Sequence, residues 1–234
     1  CAIIGEKSII FDMSIEFYKK VYPKYGIELV GIWRPSAVVT DVTAELTAAK
    51  AAGANWITQG TSGPLGTTLP RQWGELQIPA LLSGAATGAV DLGHWDATMG
   101  FCNYEISTMG IGRCEISPET IPFWDKFVAR YNEVPAFGAY IYDGMYVLKD
   151  AIERAGTLDT DALVAALEET DYMGLHGRIR FLPNHDAIMS LDPNEGLFSV
   201  TFQWRDGEQR VVWPHYKGTS PFEFPPWVIE YWKK

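Results

Sequence analysis

The chain has 234 residues, of which 47% are hydrophobic and 21% charged, with a net charge of -10 and a mean hydropathy of -0.05. That apolar fraction supports a packed core in one large or two small domains and excludes general disorder. A pI near 4.9 without a Lys/Arg cluster excludes a dedicated nucleic-acid or anionic-membrane surface, and no run approaches the roughly 18 apolar residues of a spanning helix.

In chain order, Ala2-Ile3-Ile4 is a short strand-like run. Ile15, Tyr18, Lys19 and Tyr22 then make a helical stripe that stops at Gly26, a natural C-cap residue. Ile27 to Trp33 reads as the next strand. Thr40 or Asp41 caps a helix carrying Leu46, Ala49 and Ala52, closed by Gly53. Trp56-Ile57-Thr58 is a third strand, Leu65 to Leu76 a helix, and Ile78 to Leu82 a fourth strand. Strand-helix alternation of this length predicts a mostly parallel sheet with helices on both faces.

From about residue 98 the pattern changes. Ser117-Pro118 opens a helix with Ile121, Trp124, Val128 and Tyr131 on one face. A second helix, about 138 to 155, carries Ile141, Met145, Leu148 and Ile152 and stops at Gly156, and a third is capped by Asp159 or Thr160. These stripes read as core packing. Gly177 to Phe181 and Leu197 to Trp204 read as strands, and Asp206-Gly207 as a turn to a hairpin arm from Gln209 to Trp213. The tail from Pro221 to Trp232 is expected to lie over apolar surface without forming an element.

Enzyme motifs are missing: there is no GxxxxGK[ST], HExxH, CxxC or GxSxG. Gly110-Ile111-Gly112 reads as a turn. The four histidines, His94, His176, His185 and His215, are far apart in turn-like contexts and read as surface loop residues, not metal ligands. Three cysteines are too few for a disulfide framework. Cys102 and Cys114 are a pair that an oxidising compartment can join, which spacing alone leaves open. Cys1-Ala2-Ile3-Ile4 lacks the charged start of a secretion signal, so the chain reads as cytoplasmic, or as processed or truncated. A Cys1 nucleophile or lipid anchor fits poorly with the strand that follows at once, and Cys1 reads instead as an interior residue of a larger protein.

Ligands in open parallel sheets sit beyond the carboxyl ends of the strands. The segments that follow strands three and four are Gln59-Gly60-Thr61-Ser62-Gly63 and Ser83-Gly84-Ala85-Ala86-Thr87-Gly88. Both are small and polar. The first offers an amide, hydroxyls and free N–H groups at a helix start, which suit a carboxylate or carbonyl. Ordinary turns are the competing reading.

Val39-Thr40-Asp41-Val42-Thr43-Ala44-Glu45-Leu46 with Ala51-Ala52-Gly53-Ala54 resembles a signature of the type I periplasmic solute-binding proteins, the leucine/isoleucine/valine-binding group that serves ATP-driven importers. Tyr142 to Tyr146, Ala151 to Gly156, Tyr172 to His185, Phe202-Gln203-Trp204 and Phe224 to Trp227 are similar to later segments of that family, in the same order. The resemblance implies two α/β lobes with Rossmann-like parallel sheets: 1–97 in the second lobe, 98–195 a mainly helical part of the first, and 196–234 back in the second with a tail. The family's opening strand-helix units have no counterpart, so the first lobe is expected to be incomplete and the secretion signal to have gone with it. The expected role is capture of a small polar solute in an interlobe cleft for a membrane permease, outside the cytoplasm, with no catalysis, cofactor or metal.

The resemblance places ligand contacts at Phe11, Thr61, Ser62 and Ala85, and the small polar segments after strands three and four add Gln59, Gly60 and Ala86 to the expected ligand-binding positions. The family's usual acid falls near Ala85, and no Asp or Glu lies between Glu75 and Asp91. A buried ammonium without a carboxylate is costly, so an amide, urea-like, carboxylate or aromatic solute is expected over free leucine, isoleucine or valine. An intracellular amide-sensing regulator shares the fold and is the alternative; an enzyme using Cys1 or Cys102 is a third class. Helices deprived of a partner sheet are further expected to drive self-association.

Overall fold

Residues 1–233 are described by the structure, a computed structural model. The first hundred residues alternate as the periodicity predicts: β1 (Ala2–Gly5), α1 (Ile9–Val21), β2 (Gly31–Trp33), α2 (Thr43–Ala51), β3 (Trp56–Thr61), α3 (Leu65–Glu75), β4 (Leu81–Ala86), a four-residue α4 (His94–Ala97) and β5 (Ile106–Met109). There follow α5 (Thr120–Tyr131), α6 (Ala136–Ala155), α7 (Thr160–Glu168), β6 (Tyr172–Gly174), β7 (Gly177–Ile179), β8 (Val200–Arg205), β9 (Glu208–Trp213) and α8 (Pro226–Trp232). A seven-stranded sheet runs in the order β2, β1, β3, β4, β5, β8, β9, and β6 and β7 pair as a separate antiparallel ribbon. The pairings of β1 through β5 are all parallel. The fold is thus α/β with a mostly parallel sheet and flanking helices.

Local chemistry explains the element ends. The Ser8 hydroxyl accepts the Phe11 N–H at 3.3 Å and starts α1, and Gly26 takes φ 70 after it. Asp159 caps α7 by accepting from the Ala162 N–H. Asp206 and Gly207 both adopt positive φ, the geometry a two-residue hairpin turn between β8 and β9 requires.

By its internal contacts the chain divides into two compact units. One comprises Cys1–Ser107, Gln203–Arg210 and Phe222–Lys234; the other comprises Thr108–Phe202 and Val211–Pro221. In the first unit, Ile3 and Ile4 are neighbours in β1 and so face opposite sides of the sheet. Ile4 joins Leu46, Ile57, Leu65, Leu69, Trp73 and Leu82, whereas Ile3 joins Phe11 and Ile15. Each such fully buried aliphatic side chain contributes about 1.5–3 kcal/mol of transfer free energy. In the second unit, Ile111, Trp124, Leu175, Phe198 and Val200 form the core.

Several sequence expectations are corrected. β5 was not among the expected strands, because Ile106-Ser107-Thr108-Met109 is short and half polar, and only its pairing with β4 makes it one. β4 begins at Leu81 rather than Ile78, so Ala85 and Ala86 are strand residues, and Gln59, Gly60 and Thr61 likewise belong to β3 rather than to a loop. The α6 stripe of Ile141, Met145 and Leu148 is not core: Ile141 is 68% and Met145 61% exposed, while Ala139, Asp143, Val147 and Ala151 face inward. The buried side uses small residues, plus an aspartate that accepts from the N–H groups of Leu175 and His176 and faces the His176 ring at 2.7 Å. The tail does form an element, α8, although Trp227 in it packs on Trp73 as a covering residue.

Candidate functional site

The carboxyl ends of β1, β2, β3 and β4 in the first unit bring together Glu6, Arg34, Ser62 and Ala86. Their spacing follows from register: Gly5 of β1 lies opposite Gly60 of β3, and Gly60 opposite Ala85 of β4. Phe11, on the first turn of α1, lays its ring over the Gly5 and Gly60 backbones. A Cβ at Gly5 would meet the ring at 1.6 Å, and one at Gly60 at 1.7 Å. Only glycine at both positions lets the helix sit this close. The ring is 5% exposed and part of the core with Ile3 and Ile15, so most of its surface is already in contact with the protein.

A carboxylate stands at the centre of these strand ends. Glu6, 7% exposed, accepts the Ser62 N–H at 2.8 Å and the Ser62 hydroxyl at 2.6 Å. Its own N–H donates to the Gly60 carbonyl, continuing the β1–β3 ladder by one residue. Arg34 directs Nε and Nη2 at the Glu6 carbonyl, at 3.1 and 2.6 Å, and pairs Nη1 with Asp12. Its guanidinium lies 5.5 Å from the centre of the Phe11 ring. The expectation of a site without a nearby carboxylate is therefore corrected. The carboxylate beside Ser62 belongs to the segment after β1, 56 positions away in the chain. Glu6 stands far in sequence from the Ala85 segment where the resemblance places the acid, and only the strand pairing brings it to Ser62. The strand-end placement of Glu6 after Ala2-Ile3-Ile4-Gly5 was the available signal.

The remaining expected residues separate. Alternation along β3 turns Gln59 to the opposite face from Phe11's neighbour Gly60. Fully buried there, Gln59 donates from Nε2 to Glu105 Oε1 at 2.5 Å. Thr61 is buried at the strand end, Ala85 is exposed and Ala86 is buried. Of the seven, Ser62 is thus directly tied to the Glu6 carboxylate, Phe11 and Gly60 are packed together beside it, and Gln59 lies elsewhere.

Two histidines expected at the surface are instead buried, His94 and His176. His94 Nε2 lies 2.7 Å from Glu105 Oε2. His176 stacks on Tyr140 with ring centres 4.1 Å apart. All three thiols are free and buried, Cys102 and Cys114 included. Burial, the largest influence on each, pushes the Cys102 thiol up to about 12 and the Cys114 thiol to about 11. Neither is a ready nucleophile, because the thiolate is the reactive form.

A family model described as periplasmic binding protein matches residues 2–192. A comparison with curated proteins finds no match. Among solved structures, the chain is similar to a protein from Silicibacter pomeroyi assigned to branched-chain amino acid ABC transport, at 17% identity and a TM-score of 0.82, covering 97% of this chain and 61% of that one. It is also similar to an R. palustris ABC transporter solute-binding protein in complex with benzoate, at 13% identity and a TM-score of 0.75, covering 97% and 60%. A leucine-binding protein from Thermotoga maritima matches at 18% identity and a TM-score of 0.73, covering 90% and 59%. The chain thus spans about three fifths of the length of these solved chains.

Proposed function

Because the chain belongs to the periplasmic binding protein family, we propose that it serves as the substrate-binding component of an ABC-type importer. It captures a small polar solute outside the cytoplasm and presents it to a membrane permease. The observation that carries the solute class is the Glu6 carboxylate, held by both Ser62 donors at the carboxyl ends of β1 and β3. Each carboxylate oxygen spends one acceptor site on Ser62 and retains another, which suits an N–H donor of the solute. An amide satisfies it as a neutral partner, and an ammonium as a charge-assisted one. The similarity to a leucine-binding protein supports the second possibility.

The experiment is isothermal calorimetry of the purified protein against L-amino acids, their amides, urea-like compounds and benzoate. An N–H-bearing solute is expected to bind, and Glu6→Gln, which keeps shape but removes charge, is expected to weaken it about 10- to 100-fold, the range for a hydrogen bond to a charged group. Binding of benzoate alone, or an N–H-bearing solute held equally well by Glu6→Gln, contradicts the assignment.

A further inference from the structure

Among the described residues, one buried cluster in the first unit combines imidazole, thiol and carboxylate: His94, Cys102 and Glu105, whose ligand-type atoms all lie within 4.8 Å of one another. His94 opens α4, Cys102 lies in the turn that follows it, and Glu105 immediately precedes β5. A fourth side chain is docked on the same group. Gln59 is fully buried, donates from Nε2 to Glu105 Oε1, and has an Oε1 without a hydrogen-bond partner. An unpartnered buried carbonyl oxygen is costly, and this one belongs to an amide docked on Glu105, a member of the cluster.

We propose that His94, Cys102 and Glu105 bind a borderline-soft divalent cation, of which zinc is the type, with Gln59 Oε1 as the fourth donor. Nitrogen, sulfur and oxygen ligands are the set such ions take, and four is the number a closed structural site holds. Ligation replaces the thiol proton of Cys102 with the ion, and that proton leaves to solvent. The ion likewise displaces the proton shared between His94 Nε2 and Glu105 Oε2, and the neutral imidazole carries that proton on Nδ1 instead. Thiolate and carboxylate together then neutralise the two positive charges inside the core. Donor atoms of a tetrahedral zinc site sit roughly 3.3–3.8 Å apart, from metal–ligand lengths of about 2.0–2.3 Å. Spacings near the 4.8 Å limit therefore contract by about 1 Å, and the 2.7 Å His94–Glu105 pair opens by about 0.6 Å. Two of the ligands lie in the stretch from 87 to 104, where only short helical turns hold the backbone. The cluster lies on the face of β3 opposite Phe11, so the proposal is independent of the solute site.

Cobalt(II) titration of the purified, chelator-treated protein tests it. One equivalent is expected to produce the near-ultraviolet thiolate-to-cobalt charge-transfer band, bleached by zinc. Cys102→Ser is expected to abolish the band and weaken zinc binding by at least about 100-fold, beyond the loss typical of supporting residues, whereas Cys114→Ser leaves both intact. Should Cys102→Ser fail to fold, the wild-type protein still decides: zinc is expected to raise its thermal midpoint in proportion to the logarithm of free zinc. Cobalt binding without the charge-transfer band, a band that survives Cys102→Ser or is lost in Cys114→Ser, or a midpoint indifferent to zinc overturns the proposal.

Discussion

Gly60, like Gly5, is held to glycine by the Phe11 ring. Its missing side chain is the space that the Phe11 ring occupies, and a Cβ there would lie 1.7 Å from a ring carbon. A buried aromatic ring wedged between α1 and the sheet cannot swing aside as a surface lysine can. Gly60→Ala is therefore expected to lower stability by about 1–3 kcal/mol, the usual cost of overpacking, and to displace α1. Combining it with Phe11→Leu, which frees part of that space, is expected to recover some of the loss. Urea denaturation of the two single variants and the double variant measures the coupling, and strictly additive effects contradict the contact.

At the scale of the element, α6 shows that hydrophobicity and burial are different properties. The large apolar residues Ile141 and Met145 face solvent, whereas Val147, Ala139 and Ala151 are packed. Ile141→Glu and Met145→Glu are expected to change stability by no more than about 0.5 kcal/mol, as exposed substitutions do. Val147→Ala, on the inward face, is expected to cost roughly 1–3 kcal/mol. Chemical denaturation distinguishes the two faces, and the reverse ranking would place the core on the wrong side. The same outward face, with Phe137 and Leu148 also exposed, gives self-association a surface to use. Sedimentation at rising concentration is expected to show larger species for the parent than for the Ile141→Glu, Met145→Glu double variant.

Across the whole molecule, thiols and phenols partly or wholly shielded from water mark a pH limit. Burial raises the Cys102 and Cys114 thiols from 9.0 and the Tyr18, Tyr22 and Tyr140 phenols from 10.0. Each group holds its proton more firmly folded than unfolded. Its contribution is thus complete below its unfolded value and is lost as pH rises through the folded one. Stability is expected to fall on the alkaline side, beginning near the thiol value and steepening past the phenol value. Urea midpoints in chelating buffer at about pH 7.5 and about pH 10.5 test this, and an unchanged midpoint contradicts it.

What the amino-acid sequence determined by itself was the local grammar and, through it, the family. The alternation of strands and helices to residue 90, the Gly26 and Gly156 stops, the Asp159 cap and the Asp206-Gly207 hairpin depend on neighbours a few positions apart, and each is present in the structure. Tertiary structure decided the rest. β5 is a strand because β4 offers it unpaired backbone groups, not because its four residues prefer to be one. The outward and inward faces of α6 depend on what packs against them, which helical period cannot specify. Glu6 reaches Ser62, and Gln59 reaches Glu105 rather than the strand-end site, through the register of parallel strands. Parallel pairing joins residues separated by whole strand-helix units, and a single-residue change of register exchanges one face for the other. The proposed binding chemistry rests on those long-range pairings.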